Sequence, residues 1–175
     1  MDDMKTDLED LAVLVVEDHP HMAAILTSML HSWRIGTIHV VENTRDALEA
    51  LRKHPVDIVL LDHNIAPVNG IDFVHLLRRE PNNRNRRVPV IMVSGSADLA
   101  TVTRARNSGV DEFLCKPVSA ADLYERIRSV LDAPRPFICT DGYVGPCRRR
   151  RNDPPPDGIE RRRCAHNSRC SVVYV

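Results

Sequence analysis

Long apolar runs are missing from this sequence: the longest, residues 11–16, covers six positions, far short of the roughly 20 that span a bilayer. The first residues, Met-Asp-Asp-Met-Lys, are acidic and lack a basic segment followed by an apolar one. No secretory leader is expected, and the expected location is the cytoplasm. Closely spaced cysteines are missing too. Cys139, Cys147, Cys164 and Cys170 lie near the C-terminus with His166, but the gaps of 7, 16 and 5 residues include no Cys-x2–4-Cys pair. Structural zinc sites normally carry that pair, so free thiols are the simpler expectation, ahead of zinc or disulfides. Aromatic residues make up 4% of the chain. Only Tyr143 and Tyr174 lie near the arginine runs at 148–151 and 161–163, too sparse for a base-stacking platform.

What is present divides in two. The formal net charge of zero joins an acidic part, residues 1–133, with 15 Lys and Arg against 20 Asp and Glu, to a basic part, residues 134–175, with 9 Arg against 4 acids. In the first part, short apolar runs at 11–16, 37–41, 57–61, 88–93 and 112–115 alternate with amphipathic stretches of helical length. Most of these runs are apolar at nearly every position, which suits strands buried on both faces of a parallel sheet. Helix starts are marked by Pro20, Asn43 or Thr44, Asn69, Asp98 (ahead of the apolar Leu99, Val102 and Ala105), and Ser119 with Asp122 three residues on. Five strand–helix repeats with short connections predict a doubly wound α/β sheet over residues 8–132. Cys115, within the last run, reads as a small buried hydrophobe. Over 133–175 the periodicity stops. Ala-Pro-Arg-Pro leaves the last helix, a weak repeat relates Gly145-Pro-Cys-Arg-Arg-Arg to Gly158-Ile-Glu-Arg-Arg-Arg, and little independent structure is expected.

In such a sheet, ligands bind beyond the carboxyl ends of the strands. The runs end in Glu17-Asp18, Asp62, Ser94 and Lys116, gathering three acids, a hydroxyl and an amine on one edge. Crowded carboxylates call for a divalent cation, and hard oxygen donors favour Mg2+. An ammonium and a hydroxyl beside them suit the oxygens of a phosphoryl group, which a carboxylate can take as nucleophile.

The segments Val15-Val16-Glu17-Asp18, Leu60-Leu61-Asp62-His63-Asn64 through Gly70, Val93-Ser94-Gly95 and Lys116-Pro117 resemble the receiver domain of bacterial response regulators. The resemblance covers roughly 8–132 and implies a flavodoxin-like sheet of five parallel strands. It implies Asp62 as phosphoacceptor, and Glu17, Asp18 and Asp62 with the backbone carbonyl of Asn64 as the Mg2+ site. Ser94 matches the switch hydroxyl, Phe113 the aromatic switch position and Lys116 the family's lysine; the bond from Lys116 to Pro117 is one the family often holds cis. The partners implied are a histidine kinase or phosphotransfer protein and a downstream protein, with homodimerisation open. Glu17 stands where Asp is commoner, its extra methylene favouring water-mediated metal binding. Ala66 stands where Pro is usual, which leaves the loop after Asp62 looser. Phe113 has no hydroxyl, so a switch there works by packing.

The expected function is a phosphotransfer switch that catalyses only its own phosphorylation and hydrolysis. An aspartate phosphatase would want a second acid two residues after Asp62, where Asn64 stands. A flavin site would want a Ser/Thr/Gly-rich loop where Glu17-Asp18-His19-Pro20 stands. The tail is too short and irregular for a helix-turn-helix. It could tether the switch to nucleic acid or an anionic membrane, or rest weakly on the three-acid edge in competition with Mg2+. His19, His21 and His63 flank that edge and read as solvated neighbours of the acids.

Overall fold

The computed structural model describes residues 7–80 and 83–149. Five parallel strands, β1 (Ala12–Val16), β2 (Thr37–Val41), β3 (Ile58–Asp62), β4 (Val90–Ser94) and β5 (Glu112–Cys115), pair in the order β2-β1-β3-β4-β5. Between and after them run α1 (Pro20–Ser32), α2 (Thr44–Lys53), α3 (Gly70–Arg79), α4 (Leu99–Ser108) and α5 (Ala120–Asp132). Every residue of β3 and β4 is buried, as their unbroken apolar runs require.

Alternate side chains of the strands feed two cores. Leu14, Val59, Leu61 and Met92 meet Ala47 and Leu51 of α2, Phe73, Val74 and Leu77 of α3, and Ala105 of α4. Val13, Val15, Leu60 and Ile91 meet Leu26 and Leu30 of α1 and Leu123 and Ile127 of α5. The helix starts carry the capping residues read from the sequence. Asn43, Asn69, Asp98 and Ser119 each accept a hydrogen bond from a backbone amide three residues on, at Asp46, Asp72, Thr101 and Asp122. Each satisfies a donor that the first helical turn leaves open.

Three expectations need correction. Leu99, placed with Val102 and Ala105 on one apolar face, is 83% exposed. The side chains that α4 buries are Ala105 and Ser108, both in its last turns. Cys115 is exposed, because the fifth strand ends at the sheet surface and its last side chain points out of the core. After α5, where little structure is expected, the chain continues in order. Residues 137–146 form an antiparallel hairpin of β6 (Phe137–Cys139) and β7 (Val144–Pro146), turning at Asp141-Gly142. Asp-Gly between two short apolar segments is itself a hairpin signal.

The hairpin is locked to the amino ends of β4 and β5. Arg135 donates to the carbonyls of Val110, Asp111 and Cys147. Arg78, at the end of α3, is 1% exposed. Its Nε donates to the Gly109 carbonyl at 3.0 Å, Nη1 to the carbonyls of Arg86 and Val88 at 2.7 Å each, and Nη2 to Asp111 at 2.9 Å. The Phe137 ring lies 5.7 Å from this guanidinium. Burial pushes the Arg78 pKa down, against the opposing charge of Asp111. Each of the three guanidinium nitrogens that folding strips of water thus donates to a protein oxygen. Gly109, which ends α4 at φ 104°, leaves no room for a Cβ: one would come within 2.9 Å of Arg78 Cγ.

Candidate functional site

The carboxyl ends of β1, β3, β4 and β5 converge because the parallel register aligns them: Val16 pairs with Leu61, Asp62 with Val93, and Ser94 with Cys115. Beyond these ends stand Glu17, Asp18, Asp62, Ser94 and Lys116, the set expected from the sequence. Gly70, which opens α3, permits the approach. A Cβ there would stand 2.6 Å from the Asp62 carbonyl oxygen, and the Gly70 amide donates to the His63 carbonyl at 2.9 Å.

Glu17, Asp18 and Asp62 each offer a carboxylate oxygen, and these oxygens lie within 4.8 Å of one another. Among the described residues this is the one group of three or more His, Cys, Asp or Glu side chains arranged to hold a metal ion. Glu17 and Asp62 are buried and Asp18 is exposed, which leaves a solvent-facing side. The donors are all hard oxygens, a set that fits Mg2+. Lys116 ties the acids together: its Nζ is 2.8 Å from Asp62 Oδ1 and 3.0 Å from Glu17 Oε2. Burial works against the Lys116 ammonium, but its hydrogen bonds to Asp62 and Glu17 and their charges outweigh it, and its pKa is raised. Glu17 is shifted up as well, first by burial and then by the Asp62 charge, against the pull of Lys116. Its extra methylene carries the carboxylate to Lys116, and its other oxygen accepts the His19 amide at 3.3 Å.

The Asn64 amide donates to Asp62 Oδ2 at 3.1 Å, so the loop after β3 wraps its backbone around the carboxylate. Ala66 ties that loop to the start of α2: its carbonyl accepts the Thr44 amide at 3.1 Å. The peptide bonds to Pro67 and Pro117 are both cis.

Ser94 is fully buried, with its hydroxyl donating to the Ser96 carbonyl at 3.0 Å and 3.2 Å from His63 Nδ1. This His63 contact has no signature in sequence spacing, since it joins residues 31 apart, one in the turn just past β3 and one ending β4; the expectation of a solvated histidine misses it. Phe113 is partly buried against the α2–α3–α4 core.

Cys139 and Cys147 are free. They do not face each other in the hairpin: Cys139 pairs with Val144, and the Cys147 amide bonds the Pro136 carbonyl. Cys164, Cys170, His166 and the arginines at 150, 151 and 161–163 lie outside the described residues. Arg148 is held far from the acids. Its guanidinium lies 4.7 Å over the Tyr143 ring and donates to Asn107 at 3.3 Å, at the end of α4 opposite the site. This arginine therefore rests on the pole opposite the acidic edge. No helix among the described residues is long and apolar enough to cross a membrane.

Comparison with known proteins agrees with this geometry. The model of the response regulator receiver domain matches residues 13–128. The chain is 34% identical over 119 residues to the DNA-binding response regulator MtrA of Mycolicibacterium smegmatis, covering 68% of this chain and 50% of MtrA. It thus spans about half the length of that relative. With chemotaxis protein CheY-3 of Vibrio cholerae it shares 25% identity over 124 residues, 71% of this chain and 94% of the relative. Among solved structures, the receiver domain of sensor histidine kinase PA1611 from Pseudomonas aeruginosa, with a magnesium ion coordinated in its active site cleft, superposes with a TM-score of 0.60. It is 25% identical and covers 70% of this chain and 97% of that one. The strand order, the acid set at the strand ends and the match over 13–128 together make this chain a member of the response regulator receiver domain family of two-component signalling.

Proposed function

We propose that the chain is a phosphoacceptor switch, taking a phosphoryl group on Asp62 from a histidine kinase or phosphotransfer protein and passing the signal to a downstream protein. The observation that carries this reading is the position of Asp62, buried at a strand end with Lys116 at 2.8 Å and two further acids beside it. An Asp62 oxygen attacks phosphorus, the P–N bond to the donor imidazole breaks, and that imidazole nitrogen keeps the electron pair and takes a proton. The acyl phosphate formed is later opened by water, which returns inorganic phosphate and the carboxylate. Asn64, in place of an acid, supplies no proton to a leaving group, so turnover is confined to the protein's own phosphate.

Glu17, Asp18 and Asp62, with the Asn64 carbonyl, would hold Mg2+, which supplies positive charge against the oxygens gathered at the site. Lys116 then turns its ammonium from the carboxylate to a phosphoryl oxygen. Ser94 must leave the Ser96 carbonyl and His63 to donate to another, and Phe113 repacks behind it. With a small acyl phosphate and Mg2+ the protein should take up one acid-stable, base-labile phosphate. Chelation by EDTA should stop it, and uptake indifferent to EDTA would contradict the metal set. Lys116→Ala should keep part of the uptake but weaken the structural response, since a charge-assisted contact of about 1.5–3 kcal/mol is lost. Fluorescence of Trp33 and amide exchange before and after phosphorylation measure this, and an undiminished response would remove Lys116 from the switch.

A further inference from the structure

The amino-terminal pole of the sheet carries a charge pattern that phosphotransfer does not use. The helices run back against the strands, so α2, α3 and α4 end at this pole with Arg52 and Lys53, Arg78 and Arg79, and Arg106 in their last turns. A short 3-10 turn adds Arg84, Arg86 and Arg87. A cation at a helix C-terminus ordinarily complements the helix dipole, and Arg52 and Lys53 are also answered by Glu80 and Glu49. Arg84, Arg86, Arg87, Arg106, Arg148 and Arg149 have no carboxylate partner among the described residues. They meet neutral groups instead: Arg84 the Arg52 carbonyl, Arg86 the Cys139 sulfur, Arg87 the Phe137 ring, and Arg148 Tyr143 and Asn107. The hairpin therefore seats Arg148 beside the arginines of the folded domain and makes them one surface.

We propose that this pole binds the phosphate backbone of double-stranded nucleic acid without reading its sequence. The chain has 21 arginines and 3 lysines, and the guanidinium fork matches phosphate oxygens two at a time. Arginines already lie over the Phe137 and Tyr143 rings, so guanidinium groups compete with the bases of a single strand for stacking there. A membrane surface would draw on apolar side chains entering the acyl boundary. Among the described residues, the large exposed apolar side chains are Val40, Leu76, Leu99 and Tyr124, and of these only Leu76 lies near this pole.

The test is fluorescence anisotropy of the full chain with labelled duplexes of unrelated sequence, at about 50 and about 200 mM salt. All duplexes should bind alike, losing about 1,000-fold in affinity across that range if six phosphates are contacted. Arg84→Glu with Arg106→Glu, both exposed and with the tail intact, should weaken binding at least about tenfold and lower the salt slope by about two. Arg84→Gln with Arg106→Gln should give a smaller loss in the same direction. Affinity unchanged in the Glu pair would assign binding to the tail alone and overturn the proposal. So would the absence of duplex binding at the lower salt, or sedimentation with phosphatidylserine vesicles without it. Phosphate uptake at Asp62, at the other pole, should stay normal in the same variants, which separates failure here from failure of the phosphoacceptor reading.

Discussion

Arg78→Met should lower folding stability by about 3–5 kcal/mol, the range for breaking a buried ion pair by removing one partner. The methionine replaces the volume of the stem but none of the donors. The carbonyls of Arg86, Val88 and Gly109 lose their Arg78 contacts in a buried setting, and Asp111 keeps the Val90 amide at 2.8 Å while losing the guanidinium. Burial already holds the Asp111 pKa up despite Arg78 beside it, so removal of that cation strips its main compensation. Phe137 also loses one of the two guanidinium groups beside its ring. For a domain with an ordinary margin of about 5–15 kcal/mol this is a large fraction. Urea denaturation of both chains measures it as a shift in midpoint. A loss below about 1 kcal/mol would mean that the Arg78 contacts contribute little and that the hairpin is not fastened through them.

Asp62→Asn should abolish phosphate uptake while leaving the protein folded. The amide keeps the size of the carboxylate but has no anionic oxygen to attack phosphorus. It also removes one of two buried acids that share Lys116. Lys116 remains paired with Glu17 at 3.0 Å, so the substitution strands no charge. The Asp62 charge contributes to raising Glu17, and that contribution disappears. The variant should therefore unfold at the same urea concentration as the parent or above it, and should bind Mg2+ more weakly because a ligand charge is gone. A clear drop in the unfolding midpoint would contradict this account of the site's electrostatics.

The fold was legible because its signals are local. Continuous apolar runs such as 58–61 mark strands covered on both faces, and Asn43, Asn69, Asp98 and Ser119 mark helix starts by a mechanism that needs only three residues of sequence. The site was legible because the parallel topology sends every strand's carboxyl end to one edge. Once 17–18, 62, 94 and 116 are strand ends, their proximity follows. The missing details depend on side-chain direction or on distant pairing. Cys115 and Leu99 are apolar in type, yet their exposure is set by where the strand and helix meet the surface. The bond from Ser94 to His63 needs the rotamers of a strand end and of the turn beside it. Arg78 looks like any charge at a helix end until the hairpin closes over it. The hairpin was hidden among prolines and arginines, although Asp141-Gly142 marks its turn.

The central claim is that a single carboxylate, Asp62, receives the phosphoryl group. The most direct measurement is to phosphorylate the full chain with a small acyl phosphate and Mg2+, convert the acyl phosphate to a stable adduct with hydroxylamine or borohydride, digest it, and locate the adduct by mass spectrometry. The account predicts one adduct per chain, on Asp62. An adduct mapped to Glu17, Asp18 or any other residue, or an Asp62→Asn chain carrying a full equivalent, would contradict it.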